Sequence, residues 1–170
     1  MEIRQANKND ADVIALLGRV TFNETFGHLF SNKNDLREYF DSTFSVNKIE
    51  RSLSKPNNVY WIAFVERLPV GYAKLKLNSP SQFITGKNVS QLQKIYVLKD
   101  FLSMKIGFHL QGLLLNKAKE SGSNEIWLSV LKSNERAVNF YLKNGFKQIG
   151  DHDFQIGSEN FNFIAMSKPL

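Results

Sequence analysis

The segment Glu125–Phe146 constrains the fold more than any other part of the chain. Glu125–Val130 is rich in β-branched and aromatic residues, a pattern that predicts a strand. Asn134–Lys143 follows with helical periodicity, and Asn144-Gly145 predicts the end of that helix because glycine adopts the left-handed conformation at low cost. A strand that leads directly into a helix indicates a mixed α/β fold.

The remaining chain alternates between helical and strand patterns in the same way. We predict further strands over Met1–Gln5, Val59–Val65, Val70–Leu77, Ser90–Val97, Phe146–Phe154 and Phe161–Met166. We predict further helices over Ala11–Phe26, Leu36–Phe44, Val46–Leu53 and Lys105–Glu120. Glu66–Pro69 is predicted as a turn, and Asn78–Asn88 as the longest loop. The predicted order is β-α-α-β-β-β-α-β-α-β-β, in a single domain that spans residues 1–170.

The composition excludes several classes of protein. The chain has no cysteine, which rules out a disulfide scaffold, cysteine-ligated zinc and a thiol nucleophile. Its net charge of +6 favours an anionic partner: a nucleic acid, a membrane surface or a phosphorylated small molecule. We see no signal peptide and no apolar stretch of membrane-spanning length, and we therefore expect a soluble cytoplasmic protein without a membrane partner.

Asn134 and Tyr141 are candidates for a functional pair. Asn134 stands where a helix begins and is a good N-cap residue. Tyr141 lies seven residues further on, about two helical turns, so both side chains share one face of the helix. Taken one at a time, a structural cap and a packed core tyrosine are the more common explanations of these two residues.

The pattern Leu-x-Val-x-x-x-Asn-x-x-Ala-x-x-Phe-Tyr-x-x-x-Gly-Phe, from Leu128 to Phe146, resembles the second signature block of the GNAT superfamily of N-acetyltransferases. The element order resembles that fold over the whole chain. The resemblance implies an α/β (α+β) domain whose mixed central sheet is splayed between strands four and five and flanked by helices. More narrowly, Thr21–Phe26, Gln93–Val97 and Gly150–Phe154 resemble the bacterial PaiA-type spermine/spermidine acetyltransferases.

The resemblance also implies acetyl-coenzyme A as cosubstrate and no metal. The family's first block is a Gln/Arg-x-x-Gly-x-Gly/Ala loop, whose backbone N–H groups cradle the pyrophosphate at a helix N-terminus. The corresponding run here is Leu102–Gly107, in which Lys105 replaces the first glycine and Gly107 is retained. We therefore expect weaker or altered coenzyme A binding than in relatives with both glycines. The residues implied to bind the cosubstrate are Ile95, Tyr96, Val97, Ser103, Met104, Lys105, Ile106, Gly107, Phe108, Asn134 and Tyr141.

The resemblance assigns roles to three of these groups. The backbone of Ile95–Val97 would lie along the acetyl-pantetheine arm, and Asn134 would hydrogen-bond the pantetheine or phosphate region. Tyr141 would be the catalytic residue that donates a proton to the leaving thiolate. Glu24 is the acidic candidate for holding a cationic amine, although a solvated helix residue is the ordinary interpretation of it.

The acids that often remove the amine's proton are absent from strand four, where Gln91 and Gln93 stand instead. We therefore expect a chain of water molecules to carry that proton. Asp35, Glu38 and Asp41 follow helical spacing and fit a solvated face better than an acceptor site. The histidines His28, His109 and His152 lack metal-ligand spacing, and Ser103 and Ser129 lack the sequence context of a nucleophile.

The sequence as a whole predicts an N-acetyltransferase that moves an acetyl group from acetyl-coenzyme A to a primary amine, such as spermidine or spermine, by direct attack. The partner is then a small-molecule amine, and the protein a monomer or homodimer. Two alternatives stay open. One is a non-catalytic module of the same fold that senses coenzyme A or acts as a scaffold. The other, a small basic protein that binds nucleic acid, depends on charge alone.

Overall fold

The computed structural model describes all 170 residues and joins seven strands in one mixed sheet. The strands are β1 Glu2–Gln5, β2 Asn58–Val65, β3 Leu68–Lys76, β4 Val89–Val97, β5 Glu125–Leu131, β6 Lys147–Ile156 and β7 Glu159–Pro169. The helices are α1 Ala11–Phe26, α2 Lys33–Thr43, α3 Val46–Leu53, α4 Ile106–Glu120 and α5 Glu135–Lys143. The strand order is β1-β2-β3-β4-β5-β7-β6, and only β4 and β5 run parallel.

The predicted fold class is confirmed, and the predicted element order needs one correction. Three helices separate β1 from β2, in agreement with the three predicted helix ranges, whereas the predicted order counted only two. The second of them begins earlier than predicted, because the Asn32 side chain accepts a hydrogen bond from the Asn34 N–H and caps it. The β2–β3 turn is shorter than predicted: only Glu66 and Arg67 have positive φ, and Leu68 already belongs to β3. At the other end, β7 is longer than predicted.

A 3₁₀ segment that the sequence did not reveal connects β4 to α4. It spans Lys99–Met104, and Lys105 follows in the left-handed conformation with φ of 56°. A side chain at such a position costs about 1–2 kcal/mol relative to glycine. Lysine in place of glycine at this position therefore leaves strain in the backbone.

The sheet is covered on both faces. Helices α1 and α3 pack on one face around Ile14, Tyr60, Ile62 and Tyr72, and α4 and α5 cover the other around Leu110, Leu114, Ile126 and Leu128. Full burial of an apolar side chain of this size stabilises the folded state by about 1.5–3 kcal/mol. The two layers hold β4 and β5 rigidly between them.

The sheet parts between β4 and β5. Only Val89–Gln91 of β4 pair with Glu125–Trp127 of β5. Beyond these residues β4 stays paired with β3, and β5 stays paired with β7. The predicted splay is thus confirmed, and it opens a cleft at the centre of the sheet. No helix in the structure combines the length and the apolar character needed to cross a membrane.

Candidate active site

A cavity of about 530 Å³ occupies the cleft between β4 and β5. Its walls come from the end of α1, from β4, from the start of α4 and from β5 with α5. The volume is within the range of small-molecule sites. Because the edge of β4 that faces β5 has no strand partner beyond Gln91, its backbone N–H and C=O groups are available to a ligand that lies along it.

A β-bulge in β4 decides which side chains face each part of the cavity. Lys74 of β3 pairs with Lys94 and Leu75 pairs with Leu92, so Gln93 is the extra residue. After the bulge, Ile95 and Val97 pack towards the α4 layer, while Lys94 and Tyr96 face the aromatic residues of the α1–α2 layer. The bulge thereby places a cation and a phenol in the part of the cavity next to α1 and α2.

Helix α5 brings Asn134 and Tyr141 to the same cavity. The Asn134 side chain accepts the Ala137 N–H at 3.2 Å, which confirms the predicted N-cap. Tyr141 is only 8% exposed and packs edge-on against Phe140 and Phe146. Burial raises the pKa of Tyr141 above its ordinary value, so its hydroxyl stays protonated at neutral pH.

The start of α4 forms the opposite wall. Leu102, Lys105, Gly107 and Phe108 line the cavity. Ser103 and Met104 are exposed and lie outside its lining, and Ile106 is fully buried in the core. Any role of those three in binding would therefore fall to their backbone groups and not to their side chains.

Glu24 lies at the rim of the cavity, at the end of α1. Its Oε2 accepts the backbone N–H of Lys99 at 3.0 Å, so the carboxylate links α1 to the segment after β4. Two of the acids of α2 are engaged elsewhere, and the third, Glu38, is exposed and does not line the cavity. Asp35 accepts hydrogen bonds from Ser158, which lower the pKa of Asp35, and Asp41 pairs with Arg19 at 2.9 Å.

Lys94 is a cavity residue to which the sequence analysis gave no role. Its ammonium lies 4.8 Å from the centre of the Phe44 ring and 5.4 Å from that of Tyr96. Burial lowers the pKa of Lys94 to about 8. The only salt bridges of the protein are Arg4–Asp10, Arg19–Asp41 and Lys117–Glu120, so no carboxylate neutralises this ammonium.

Ser129 and His152 come together although 23 residues separate them in the chain. The Ser129 Oγ lies 2.8 Å from the His152 Nε2, and Ser129 lines the cavity. The contact reaches across β7, where Ala165 is paired with Ser129 and is too small to block it. No sequence motif signals this pair, because it depends on the register of three strands.

The charges of the cavity wall are mostly positive. Lys94, Lys99, Lys105 and Arg136 line it, against Glu24 as the single acid. No three histidine, cysteine, aspartate or glutamate side chains lie close enough together to hold a metal ion. The cavity with its free strand edge thus suits a long anionic ligand.

Comparisons with known proteins agree with this geometry. Residues 22–146 match the family model described as the acetyltransferase (GNAT) family. An uncharacterised N-acetyltransferase in the pepI 3′ region of Lactobacillus delbrueckii subsp. lactis is 25% identical over 170 residues, which cover 100% of this chain and 98% of that protein. Spermidine N(1)-acetyltransferase of Thermoplasma acidophilum is 26% identical over 150 residues, which cover 86% of this chain and 88% of that protein.

Among solved structures, the PaiA N-acetyltransferase of Thermoplasma acidophilum in complex with coenzyme A has a TM-score of 0.76 at 23% identity, with 100% of both chains covered. The shared fold and the family match together define an acyltransferase that uses acetyl-coenzyme A. The chain belongs to the GNAT family of acetyltransferases. The predicted class of enzyme and its cosubstrate are thereby confirmed.

Proposed function

We propose that this N-acetyltransferase transfers the acetyl group to a primary amine by direct attack within a ternary complex. The cosubstrate lies along the free edge of β4, with its acetyl-pantetheine arm against Ile95–Val97. A backbone N–H of this segment stabilises the developing oxyanion, and such a donor is worth about 3–4 kcal/mol. Ser103–Phe108 bind the pyrophosphate through their backbone, and Asn134 hydrogen-bonds the pantetheine region.

Tyr141 acts as the general acid in this proposal. The observation that carries it is the position of the phenol, which is almost completely buried and yet lines the cavity together with Ile95–Val97 and Asn134. A protonated phenol donates its proton to the leaving thiolate as the thioester C–S bond breaks. Because burial raises the pKa of Tyr141, the acid form is the one present throughout the physiological pH range.

The acceptor belongs to the primary amines, and polyamines such as spermidine or spermine are the specific acceptors that the sequence suggested. The similarity to a relative named spermidine N(1)-acetyltransferase supports them. Glu24 is the acid that would bind a second ammonium of such a substrate. The excess of positive charge on the cavity wall acts against a polycation. We also propose a cytoplasmic location and a monomeric or homodimeric state.

Thiol release from acetyl-coenzyme A across a panel of primary amines tests the proposal. We expect release with at least one amine, a product 42 Da heavier by mass spectrometry as acetylation requires, and intersecting initial-rate plots that indicate a ternary complex. Parallel plots would indicate an acetyl-enzyme and contradict direct attack. A protein that binds coenzyme A but acetylates no amine would instead support the sensor alternative.

A further inference from the structure

Lys94 has no electrostatic partner of its own in the protein. Lysine ammonium groups donate side-chain hydrogen bonds at Lys33 and Lys168 only, and none of the three salt bridges includes Lys94. The faces of Phe44 and Tyr96 replace only part of the lost hydration. A buried charge without a counter-charge is costly, and proteins keep one where function requires it.

The neighbouring strand increases this cost. Lys74 lies directly opposite Lys94 in the β3–β4 pair and is also largely buried, and no acid separates the two. Like charges at paired positions destabilise a sheet. The pKa of Lys74 falls to about 7, chiefly through burial and next through Lys94. Lys94 therefore indicates a region of the cavity that lacks an anion, and the charge of Lys74, which lies outside the cavity lining, adds to the repulsion there.

The direction of Lys94 assigns this anion to the acceptor and not to the cosubstrate. Lys94 faces Phe44 at the end of α2, whereas Lys105 and the start of α4 form the wall where pyrophosphate is expected. Gln93, at the bulge beside Lys94, also lines the cavity and has a buried Oε1 without a hydrogen-bond partner. Two neighbouring residues of β4 therefore offer one cation and one acceptor oxygen to a ligand in the cavity.

On the basis of the proposed function, we propose that the acceptor is a primary amine that also carries an anionic group, and that the ammonium of Lys94 binds this anion. The Oε1 of Gln93 is then free to accept a hydrogen bond from the amine of the same molecule. A polycation carries the same sign of charge as Lys94 and is therefore a poor substrate. Free amino acids and related amine carboxylates or amine phosphates have the required chemistry.

The decisive test compares acceptors of equal length that differ in charge. 4-Aminobutyrate, n-butylamine and 1,4-diaminobutane share a four-carbon chain and end in an anion, a methyl group and a cation. We expect kcat/KM to be about tenfold or more higher for 4-aminobutyrate than for n-butylamine, as a charge-assisted contact provides. β-Alanine and 2-aminoethyl phosphate then distinguish a carboxylate from a phosphate.

Two variants and a control test whether Lys94 causes the preference for an acceptor with an anionic group. Lys94→Met should reduce the ratio between 4-aminobutyrate and n-butylamine to near one, and Lys94→Glu should make 1,4-diaminobutane the best of the three. Lys76→Met, at an exposed lysine of β3 outside the cavity, should leave the ratio unchanged. A parent enzyme that prefers the diamine, or a ratio that Lys94→Met does not change, overturns the proposal.

A binding experiment distinguishes failure of the proposed function from failure of the proposed anion site. If the parent acetylates no amine, binding of 4-aminobutyrate and n-butylamine to the coenzyme A complex is measured by NMR. Selective binding of 4-aminobutyrate that Lys94→Met abolishes supports the anion site in a non-catalytic module. Equal binding of the two amines overturns it.

A separate observation, the hydrogen bond between Ser129 and His152, addresses the fate of the amine's proton. His152 is held between Phe83 of the β3–β4 loop and Phe163 of β7, and its Nε2 faces Ser129. Gly150 permits this arrangement, because a Cβ there would collide with Phe83. The only charged neighbours on its own strand are Asp151 and Asp153, which are exposed and contact Gln148 and Asn162.

We infer that His152 is the proton acceptor of the reaction and acts through Ser129. The Ser129 hydroxyl takes a proton from the acceptor ammonium while its own proton passes to the His152 Nε2, which leaves a neutral amine and an imidazolium. Histidine suits this step because a neutral imidazole nitrogen accepts a proton, and Nε2 is the ring atom that faces Ser129. This route replaces the water chain that the sequence predicted.

Variants at both positions test the route through their pH profiles. His152→Gln and Ser129→Ala should each lower kcat/KM by about 10²-fold near neutral pH, and activity should recover at high pH, where the free amine needs no base. His109→Gln, at an exposed histidine of α4 outside the cavity, is the control. A loss of activity that is equal at every pH would mean that the pair only supports the structure, and it would overturn this inference.

Discussion

The two ends of the cavity differ in the groups that they offer to a ligand: backbone groups at one end and side chains at the other. The end next to α4 and α5 relies on backbone groups: the free edge of β4, the turn before α4, and the N-terminus of α5 with its Asn134 cap. The end next to α1 presents the side chains of Lys94 and Ser129, and His152 lies behind Ser129. In the proposed function, the fold itself binds the shared cosubstrate, whereas a few side chains choose the acceptor.

Tyr141 lines the cavity, and removal of its hydroxyl has the largest expected effect. Tyr141→Phe should lower kcat by about 10²–10³-fold, because a general acid contributes on this scale or somewhat more. Coenzyme A affinity, measured by calorimetry, should change little, since the ring that lines the cavity is retained.

Two other tyrosines make this prediction specific. Tyr96 also lines the cavity, whereas Tyr72 is fully buried outside it with an unpartnered hydroxyl. Tyr72→Phe should leave kcat unchanged. If Tyr96→Phe reproduced the loss and Tyr141→Phe did not, the acid would be Tyr96, and the sequence pattern would have pointed to the wrong phenol.

The end of the cavity next to α4 and α5 could be predicted from sequence, because it depends on residues that are close together in the chain. The strand before Asn134, the helix that contains Tyr141 and the glycine at its end are neighbours in the chain, so a linear pattern describes them. The end next to α1, where Lys94 and Ser129 lie, could not be predicted. Lys94 faces the cavity only because Gln93 forms a bulge, and Ser129 reaches His152 only through the register of β5, β7 and β6.

The ammonium of Lys94, which has no counter-charge, should lower the free energy of unfolding of the protein. Its pKa of about 8 in the folded state is below its unfolded value, so the folded state carries a full penalty below pH 8, and the penalty disappears as the pH rises towards 10.5. The shift corresponds to about 3 kcal/mol, which partial exposure reduces to about 2 kcal/mol.

Lys94→Met should therefore be more stable than the parent at pH 7 by about 2 kcal/mol, measured by urea denaturation. The gap should narrow between pH 8 and 10.5. Lys76→Met is again the matched control, and its stability should differ little from the parent at any pH. A Lys94→Met variant that is less stable than the parent at pH 7 would show that the aromatic contacts of the ammonium outweigh its desolvation.

Substitution of Lys105 has the smallest expected effect, and it tests the end of the cavity next to α4. Lys105→Gly removes the strain at φ of 56°, with an expected gain in stability of about 0.5–1 kcal/mol after the greater freedom of glycine in the unfolded chain is subtracted. If the Lys105 Cβ also crowds the pyrophosphate, coenzyme A should bind a few-fold more tightly in calorimetric titration. Arg67→Gly relieves a similar left-handed conformation in the β2–β3 turn and should leave affinity unchanged. Weaker binding by Lys105→Gly would contradict crowding and would mean that the lysine charge holds the phosphate.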